Sequence, residues 1–382
     1  MSAPQTTDVI VIGGGLAGCA TAYYLAKDGV AVTVLERYDL NTLASGSNAG
    51  SLHTQIPHDP FVNKGDAWAE AYTPAVALLA KSVDTWRGLA TELGADLEVK
   101  LGGGLLVART TQDLRAIERK AKFERSQGLE ITIFDRNDLR REAPYVSEDM
   151  IGAAFCPDEG KANPFAATPA YARAAIRHGA TIHRQTQVMG IERQNGLYTV
   201  ATDRGVYTAR RVVNAAGADA GRIAALLGLD LGDVQGFPIQ VSATEKVAPL
   251  IPHLLYCASD KLTLKQNGVG SLLIGGGWEA CIGPSGTPVA SVESLRRNMR
   301  VALSVVPRLS DIRIVRTWAA VVNGTDDWKP ILGEIPRAPG FFVNFFPWMG
   351  FTAGPVAAQI VASQVQGKPA PFDLDIAPFL PK

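Results

Sequence analysis

The sequence predicts an α/β protein. It has a Rossmann-type domain with a β-meander as its crossover, and a second, α+β domain built on a large mixed or antiparallel sheet. Three observations predict this fold. A strand, a glycine-rich turn, a helix and a second strand follow one another in residues 8–36. Short alternating strands with hairpin turns then precede a buried strand at residues 211–218, and several longer strands lie between residues 237 and 322.

The N-terminal unit has the spacing of a dinucleotide-binding turn. Val9–Ile12 is an apolar strand, and Gly13, Gly15 and Gly18 follow it before a helix predicted from residue 16 to residue 27. The first glycine of such a turn allows the sharp bend, the second lets a pyrophosphate approach, and the third lets helix and strand pack closely. Glu36 ends the second strand, where a carboxylate accepts hydrogen bonds from a ribose. We therefore expect phosphates on the free amides of this helix N-terminus.

The crossover discriminates between the two common dinucleotides. A strand is predicted from residue 181 to residue 191 and includes Val188, and Asn195-Gly196 and residues 203–205 predict hairpin turns after it. A β-meander at this place is typical of flavin-binding Rossmann domains, whereas an NAD-binding domain more often has a helix there. The pattern therefore favours FAD over NAD.

Composition excludes several classes of function. Lys+Arg and Asp+Glu number 37 each, so the net charge does not indicate nucleic-acid or membrane-surface binding. Cys19, Cys156, Cys257 and Cys281 are scattered, which argues against a disulfide framework, a structural zinc or an iron–sulfur cluster in this chain. The apolar stretch after residue 9 lacks a basic flank and is broken by glycines. We therefore expect a cytoplasmic protein without a membrane span or a metal site.

Three further stretches carry structural signals. Residues 39–58 are rich in Ser, Gly, Asn and His and predict a functional loop whose backbone lies close to a ligand, the alternative being a flexible surface loop. Thr168 and Pro169 predict the start of a helix as its N-cap and first residue. Residues 347–352 predict a turn that opens a last helix from residue 353 to residue 365.

Taken together, these motifs resemble the D-amino-acid-oxidase-like (glycine/sarcosine oxidase) superfamily of FAD amine oxidoreductases, over essentially the whole chain. The segments that carry the resemblance are VIGGGLAGCATAYYLA, ASGSNAGSLHTQ, VVNAAGA, SLLIGGG, RTWAAVVNGTDDWKPILG and GFTAGP. Within the superfamily, SGSNAGSLHTQ followed by GGGLLVA is most similar to the β-subunits of hetero-oligomeric amine dehydrogenases. These include opine (octopine, nopaline) oxidases and D-hydroxyproline or proline dehydrogenases.

Departures from the family pattern refine what the resemblance implies. Ala320 stands where relatives with a covalent flavin often carry Cys, which implies non-covalent FAD. Leu273 stands where monomeric sarcosine oxidases carry a Lys that activates oxygen, which implies another electron acceptor. The carboxylate-binding Arg and Lys of relatives are missing near Val322 and at Thr352. His53 falls where the sarcosine type places an Arg that faces the flavin, so the resemblance favours His53 as a substrate-binding residue.

The chemistry implied is hydride transfer from the carbon bearing the amine, in which the cofactor performs the redox step and the protein orients the substrate. The residues expected to contact substrate are His53, Gln55, Lys265, Trp318 and Trp348, with Trp278 and Asn323 as weaker candidates. His53 binds a carboxylate as a cation or accepts a proton when neutral. Lys265 is a candidate carboxylate anchor or simply a solvated strand lysine.

A larger set is expected to bind FAD, and its last three members lie just before a predicted helix N-terminus that would stabilise negative charge on the reduced flavin. These residues are Gly13, Gly15, Gly18, Glu36, Ser45, Asn48, Gly50, Ser51, Leu52, Val188, Gly217, Gly350, Phe351 and Thr352.

The alternation of elements predicts a discontinuous FAD-binding domain of residues 1–60, 150–220 and 325–382, and a substrate-binding domain of residues 61–149 and 221–324.

The leading hypothesis is the catalytic β-subunit of a hetero-oligomeric dehydrogenase, which oxidises a secondary-amine amino acid of the opine, D-hydroxyproline or proline type. Partner α and γ subunits would carry electrons onward, and an FMN or 2Fe–2S centre at their interfaces is left open. The alternatives are a stand-alone glycine, sarcosine-type or D-amino-acid oxidase that produces hydrogen peroxide, and a flavin-stabilised scaffold subunit.

Overall fold

The computed structural model describes residues 4–382. In chain order, its strands are Gln5–Thr6 (β1), Val9–Ile12 (β2), Val32–Leu35 (β3), Ser51–Leu52 (β4), Gly104–Ala108 (β5), Thr132–Asp135 (β6), Gly152–Cys156 (β7), Gly160–Lys161 (β8), Thr181–His183 (β9), Val188–Gln194 (β10), Leu197–Thr202 (β11), Gly205–Ala209 (β12), Arg211–Asn214 (β13), Gln235–Lys246 (β14), Leu254–Cys257 (β15), Thr263–Gln266 (β16), Ser271–Gly275 (β17), Cys281–Ile282 (β18), Pro288–Val289 (β19), Ile314–Gly324 (β20), Ile331–Glu334 (β21) and Phe341–Phe345 (β22).

The α-helices are Leu16–Lys27 (α1), Ala44–Ser47 (α2), His58–Lys64 (α3), Asp66–Leu93 (α4), Thr111–Ser126 (α5), Arg136–Glu142 (α6), Pro164–Arg177 (α7), Ala220–Ala225 (α8), Val292–Val305 (α9) and Gly350–Val365 (α10). Short 3₁₀ turns lie at Gly217–Asp219, Pro307–Asp311 and Ala377–Phe379.

A six-stranded sheet in the order β21-β22-β13-β2-β3-β9 forms the first layer of the fold. Its pairs are parallel except for β21 against β22. Val9 and Val11 pack on the side of α1, α7 and α10, whereas Ile10 and Ile12 pack towards the meander. This alternation follows from the two-residue repeat of a strand, and burial on both faces explains why every position of β2 is apolar.

The predicted β-meander crossover is confirmed. Strands β10, β11 and β12 form antiparallel hairpins that turn at Asn195-Gly196 and at residues 203–204, and the chain then returns through β13 to the six-stranded sheet. Asn195 and Gly196 both have positive φ, 51° and 78°, as the primed hairpin turns require. The strand predicted over residues 181–191 is in fact two strands, because β9 pairs with β3 while β10 belongs to the meander.

An eight-stranded mixed sheet in the order β20-β14-β17-β16-β15-β5-β7-β6 is the second large layer. All of its neighbouring pairs are antiparallel except β15 with β5. Its own apolar cluster contains Leu105, Leu255, Leu264 and Ile274, covered by α9. Because β7 belongs to this sheet, we now propose that the boundary predicted at residue 150 lies after residue 156.

Two predicted helix starts are wrong. Helix α7 begins at Pro164, with the Asn163 side chain accepting from the N–H of Phe165, so Thr168 and Pro169 lie inside it. Asn-Pro satisfies the same N-cap and first-residue rule as Thr-Pro, and it comes first in the chain. Helix α10 begins at Gly350 rather than at residue 353. The functional loop predicted for residues 39–58 contains α2 and β4, and β4 pairs with β8.

Candidate functional site

The glycine turn brings the start of α1 against two strands of the six-stranded sheet. Gly13 has a φ of 109°, and a Cβ atom there would lie 2.5 Å from the carbonyl oxygen of Ala215. A Cβ atom on Gly18 would lie 1.9 Å from the carbonyl oxygen of Gly13. Neither position therefore accepts a side chain. A Cβ on Gly15 would meet only the Ser45 side chain, which leaves its backbone accessible from the cavity side.

Two polar side chains already pair with amides of this turn. The N–H of Gly14 donates to the Glu36 carboxylate at 2.6 Å, and the N–H of Leu16 donates to Ser45 Oγ at 2.9 Å. Of the amides that start α1, that of Leu16 is therefore already paired, as is the amide of Gly14 in the turn before the helix. The sequence spacing places Glu36 and Ser45 beside the turn, but it could not show that they bind its backbone.

A cavity of about 740 Å³ opens over this turn, and we call it the N-terminal cavity. Its wall combines the glycine turn, the ends of β3 and β13, and the first turn of α10. Nine of the residues expected to bind FAD line it: Gly13, Gly15, Glu36, Ser45, Asn48, Val188, Gly217, Gly350 and Phe351. Asn323 lines it as well, with its side-chain amide donating to the carbonyl of Phe346.

A second cavity of about 480 Å³ adjoins the first and is called the His53 cavity. The two share wall residues, among them Asn48, Ala320, Trp348 and Phe351. Of the predicted residues, His53, Gln55, Ser51, Thr352, Trp318 and Trp348 line the His53 cavity. Its walls come from the loop after β3 and from strands of the eight-stranded sheet, so residues distant in sequence meet here.

Four predicted residues lie behind the cavity walls. Gly18, Gly50 and Leu52 line neither cavity, because they pack within the protein around the glycine turn and β4. Lys265 also lines neither cavity; it is 1% exposed, and its ammonium donates to Ser51 Oγ. This burial argues against Lys265 as a direct carboxylate anchor and against a solvated strand lysine. Burial, with a smaller contribution from the charge of Lys161, lowers the pKa of Lys265 to about 7.

Aromatic rings form one side of the His53 cavity. Trp318 donates from Nε1 to the carbonyl of Ser47 at 2.8 Å, and Trp348 stacks on Trp328 with ring centroids 4.9 Å apart. The Nε1 of Trp348 is buried and has no hydrogen-bond partner among residues 4–382. Trp278 is different, since it is buried in the core and donates to the carbonyl of Lys261. Trp278 is therefore a core residue.

Polar groups form the opposite side. The Glu159 carboxylate accepts from the backbone N–H groups of Thr54 and Gln55 at 2.7 and 2.9 Å, and from the Gln55 side-chain amide at 3.0 Å. The other end of that amide accepts from the Lys120 ammonium at 3.3 Å. These contacts fix the Gln55 amide, because its oxygen must face the ammonium and its nitrogen the carboxylate.

His53 lies between the polar side and α10. Its backbone N–H donates to Thr352 Oγ1 at 3.0 Å, and its Nδ1 hydrogen-bonds the Tyr256 hydroxyl at 2.7 Å. Burial, together with the positive charge of Lys265, lowers the pKa of His53 to about 3. His53 is therefore neutral at physiological pH, which argues against the expected cationic carboxylate binder and for an imidazole that accepts.

The first turn of α10 is anchored rather than free. Thr352 Oγ1 donates to the carbonyl of Ser51, while its own carbonyl accepts from Ser82 Oγ and from Trp86 Nε1. Gly350, Phe351 and Thr352 thus form the helix start itself, one turn earlier than the sequence predicts. Anchoring this turn to β4 and α4 holds the helix N-terminus against both cavities.

Sequence reasoning missed Tyr256, Glu159, Lys120 and Trp328, all of which line the His53 cavity. Glu159 offered one weak signal, an acidic residue directly before the glycine of β8. Lys120 and Glu124 are spaced as an ion pair on a helix, and the pair is fully buried.

No helix within residues 4–382 is long and apolar enough to cross a membrane.

Comparisons with known proteins agree with this geometry. Residues 8–364 match the DAO family, described as FAD dependent oxidoreductase. Glycine oxidase of Geobacillus kaustophilus is 28% identical, with 97% of this chain and 96% of that protein covered. A subunit of the opine oxidase of Rhizobium meliloti is 27% identical, with coverage of 97% and 96%. The beta subunit of sarcosine oxidase from Arthrobacter sp is 27% identical, with coverage of 97% and 91%.

Solved structures share the whole fold. The crystal structure of L-proline dehydrogenase from P. horikoshii superimposes with a TM-score of 0.87 at 26% identity, covering 99% of this chain and 98% of that one. The crystal structure of glycine oxidase from Geobacillus kaustophilus superimposes with a TM-score of 0.84 at 25% identity, covering 99% of each chain. The glycine turn, the meander and the family match lead to one conclusion: this chain belongs to the DAO family of FAD-dependent oxidoreductases.

Proposed function

We propose that this chain oxidises a secondary-amine amino acid of the opine, D-hydroxyproline or proline type, as the catalytic β-subunit of a hetero-oligomeric dehydrogenase. The observation that carries the proposal is the junction of the two cavities at Asn48, Trp348 and Phe351. A group bound in the N-terminal cavity at that junction faces a second cavity large enough for an amino-acid substrate. The likeness to the opine oxidase of Rhizobium meliloti and to L-proline dehydrogenase supports this substrate class.

The residues present fit FAD. The glycine turn leaves room for a pyrophosphate at Gly15, and Glu36 lies where a ribose hydroxyl would donate to it. The unpartnered Nε1 of Trp348 is a donor at the junction of the cavities, where a flavin or a substrate oxygen would accept. Bound there, FAD supplies the acceptor for a hydride from the C–H bond next to the amine nitrogen.

The residues of the His53 cavity orient the amine and exclude water. Neutral His53 offers a hydrogen-bonding ring without adding charge, and the aromatic side formed by Trp318, Trp328 and Trp348 covers the apolar part of a substrate. Loss of hydride from the carbon produces a C=N bond, and water then hydrolyses the imine. We propose that FAD is held non-covalently, because Ala320 lies at the junction of the cavities.

A partner subunit is part of the proposal. Strand β20 is an edge of the eight-stranded sheet, and Ile314 and Val315 at its start are 37% and 62% exposed. Ile282 and Val292 are exposed as well. Exposed apolar side chains at the end of an edge strand are typical of a protein-binding surface. We propose partner α and γ subunits that take the electrons onward in the cytoplasm, with any FMN or 2Fe–2S centre at their interfaces.

A stand-alone oxidase is the second candidate. Lys265 and Leu273 are directly opposed on β16 and β17, so a buried ammonium lies beside the position where the resemblance implies that a lysine is missing. The likeness to glycine oxidase points the same way. Fast reoxidation of the reduced protein by air, with release of hydrogen peroxide, would favour this candidate.

The experiment combines copurification with turnover. A tagged chain is isolated from its own host, its partners are identified, and dye-linked oxidation of proline, D-hydroxyproline, octopine, nopaline and sarcosine is measured with and without them. We expect turnover of one of the first four amines and transfer of electrons to the partner. Retained full turnover by the copurified complex after His53→Ala and Lys265→Ala together would instead favour the scaffold subunit.

A further inference from the structure

A stack of three tryptophan rings leads from the junction of the two cavities to the surface. Trp348 lines both cavities, and the Trp328 ring stacks on it with centroids 4.9 Å apart. Trp68 of α4 meets Trp328 in an edge contact at 6.5 Å, with the ring planes at 83°. Trp68 is half-buried, and its Nε1 donates to the carbonyl of Asp327 at 2.9 Å in a bond exposed to solvent. The three rings therefore connect the junction of the cavities with solvent.

The backbone is strained at two of these rings. Trp328 and Trp348 have positive φ, 67° and 59°, which bulky side chains rarely adopt. The Trp348 N–H donates to the carbonyl of Asn323 at 2.9 Å, and the Tyr72 ring stacks on Trp68 with centroids 5.1 Å apart. Strained residues that neighbouring contacts hold in place are concentrated at functional sites. The strain therefore indicates a role for the arrangement of these rings.

A substrate wall explains only part of the stack. Trp328 and Trp348 line the His53 cavity, whereas Trp68 lines neither cavity. Electron tunnelling weakens steeply with distance, so closely packed rings form a favourable route between a buried donor and an acceptor at the surface. Each step of this route is a ring contact of 6.5 Å or less between centroids. A redox protein is too large to enter the His53 cavity, and the stack gives it a path to the junction.

The surface beside Trp68 carries negative charge. The loops of residues 228–234 and 325–330 adjoin there, because the N–H of Asp326 donates to the Asp233 carboxylate. Lys329 is the only cation of the two loops. Four exposed aspartates on these loops form no ion pair within residues 4–382, and we call them the acidic face: Asp230, Asp233, Asp326 and Asp327. The charge of this face is complementary to that of a basic protein.

We propose that electrons leave the bound flavin across Trp348, Trp328 and Trp68 to a positively charged redox protein docked on the acidic face. This inference rests on the proposed function and deepens it, because it names the surface and the charge of the partner that takes the electrons. The hydride taken from the amine carries two electrons and a proton. A one-electron centre of the partner accepts the two electrons in turn, and the proton is released to water. The rings shorten the gap between donor and acceptor and are not themselves oxidised.

The acidic face is distinct from the exposed apolar side chains at the start of β20. Strand β20 runs from Ile314 to Gly324, and the second acidic loop begins directly after its end. Ile314 and Val315 therefore lie at the opposite end of the strand. Two partner subunits would thus have separate docking places, and the one that takes the electrons is expected at the end near Trp68.

The first test measures docking without redox turnover. Cytochrome c, a basic haem protein, is titrated into the oxidised, flavin-bound protein in a calorimeter, and succinylated cytochrome c is the acidic form of the same acceptor. We expect binding of cytochrome c that weakens with salt, and no binding of the succinylated form. Asp326→Asn combined with Asp327→Asn should weaken binding by about five- to tenfold, because two surface charges are lost.

The matched control for docking is Asp373→Asn combined with Asp375→Asn, which removes two exposed charges near the C-terminus. This pair should leave the affinity for cytochrome c unchanged. Absence of binding, equal binding of the succinylated form, or equal weakening by the two pairs of substitutions overturns the inference.

The second test measures the exit of electrons. The protein is reduced with a stoichiometric amount of dithionite, so that no amine is needed, and the reduction of cytochrome c is followed by stopped flow. We expect Trp68→Leu to lower the limiting rate at saturating cytochrome c several-fold. Trp68→Phe, which keeps an aromatic ring, should retain most of that rate. Dichlorophenolindophenol, a dye small enough to enter the His53 cavity, should be reduced at the same rate by all three proteins.

The outcomes of this test are separate from those of the proposed function. An unchanged limiting rate in Trp68→Leu, or an equal loss of rate with the dye, overturns the electron route and leaves the proposed oxidation of an amine standing. If no amine reduces the flavin, the proposed function falls, and the dithionite-reduced protein still decides whether electrons leave across Trp68.

Discussion

Lys120 and Glu124 form an ion pair in which both side chains are fully buried, one turn apart on α5. Glu124 also accepts from the backbone N–H of Ile56 at 2.8 Å, and Lys120 donates to the Gln55 side chain. The pair thus ties α5 to the loop that carries His53. Its charges are removed from water, so each depends on the other for compensation.

Breaking this pair from one side is expected to destabilise the protein strongly. Lys120→Met should lower the free energy of unfolding by about 3–5 kcal/mol, because it leaves a buried carboxylate without its counter-charge. Lys120→Met combined with Glu124→Gln should recover most of that loss. Urea unfolding of the flavin-bound protein measures both. Lys81→Met removes the exposed Lys81–Asp84 pair and should cost under about 1 kcal/mol. Additive losses in the double variant would contradict the coupling.

The glycine turn predicts a second, local effect. Gly18→Ala places a methyl group 1.9 Å from the carbonyl oxygen of Gly13, so α1 must move away from β2. We expect a loss of about 3 kcal/mol or more in stability and a purified protein with little flavin, measured from the ratio of flavin to protein absorbance. Gly88→Ala in α4 meets nothing within 4 Å and should stabilise by about 0.5–1 kcal/mol. Normal flavin content in Gly18→Ala would refute the packing argument.

Lys265 makes stability depend on pH. Folding lowers its pKa from 10.5 to about 7, so above pH 7 the unfolded chain binds a proton that the folded protein does not. Stability therefore rises with pH from about 7 towards 10.5, and the cost of the buried charge is fully present below about pH 7. Lys265→Met should be more stable than the unaltered protein at pH 6, and the difference should shrink by about 2 kcal/mol by pH 9. If the difference in stability between the two proteins were the same at pH 6 and pH 9, the pKa of Lys265 would not be lowered by folding, which would contradict the prediction.

The buried side chain of His58 makes the stability of the protein depend on pH in the acid range. Burial, with the charge of Lys120, lowers its pKa to about 3, from 6.5 in an exposed histidine. The unfolded chain binds the extra proton between these values, so stability falls as the pH drops from 6.5 towards 3. Between pH 6.5 and 4.5, the free energy of unfolding of His58→Gln should fall by about 1–2 kcal/mol less than that of the unaltered protein. Thermal unfolding measures this difference. His178→Gln, at the exposed C-cap of α7, is the control, and an equal effect there would count against the burial of His58.

Local patterns in the sequence predicted the parts of the fold that local interactions form. The glycine turn, the two hairpins of the meander and the apolar strand β2 each depend on neighbouring residues, and each is present. The polar side of the His53 cavity could not be predicted in this way. Tyr256 lies 203 positions from its partner His53, and Glu159 lies 105 positions from Thr54. Their meeting is decided by the order of strands in the eight-stranded sheet.

The position of Lys265 also could not be predicted from local sequence. A lysine on a strand was a candidate for a carboxylate anchor. In the structure, β16 lies between β15 and β17, and the Lys265 ammonium donates to Ser51 Oγ. The start of α7 was mistaken for a different reason. Two proline-containing helix starts lie within the same helix, and the sequence rule does not rank them.

The most direct test of the central claim is an anaerobic titration of the purified, flavin-bound protein. Proline, D-hydroxyproline, octopine and nopaline are added in turn, and the absorbance band of oxidised flavin is followed in the unaltered protein and in His53→Gln. The account predicts that at least one of these amines bleaches the band completely in the unaltered protein, and that His53→Gln slows bleaching by about tenfold or more. An unchanged band with all four amines, in a protein that dithionite reduces normally, would contradict it.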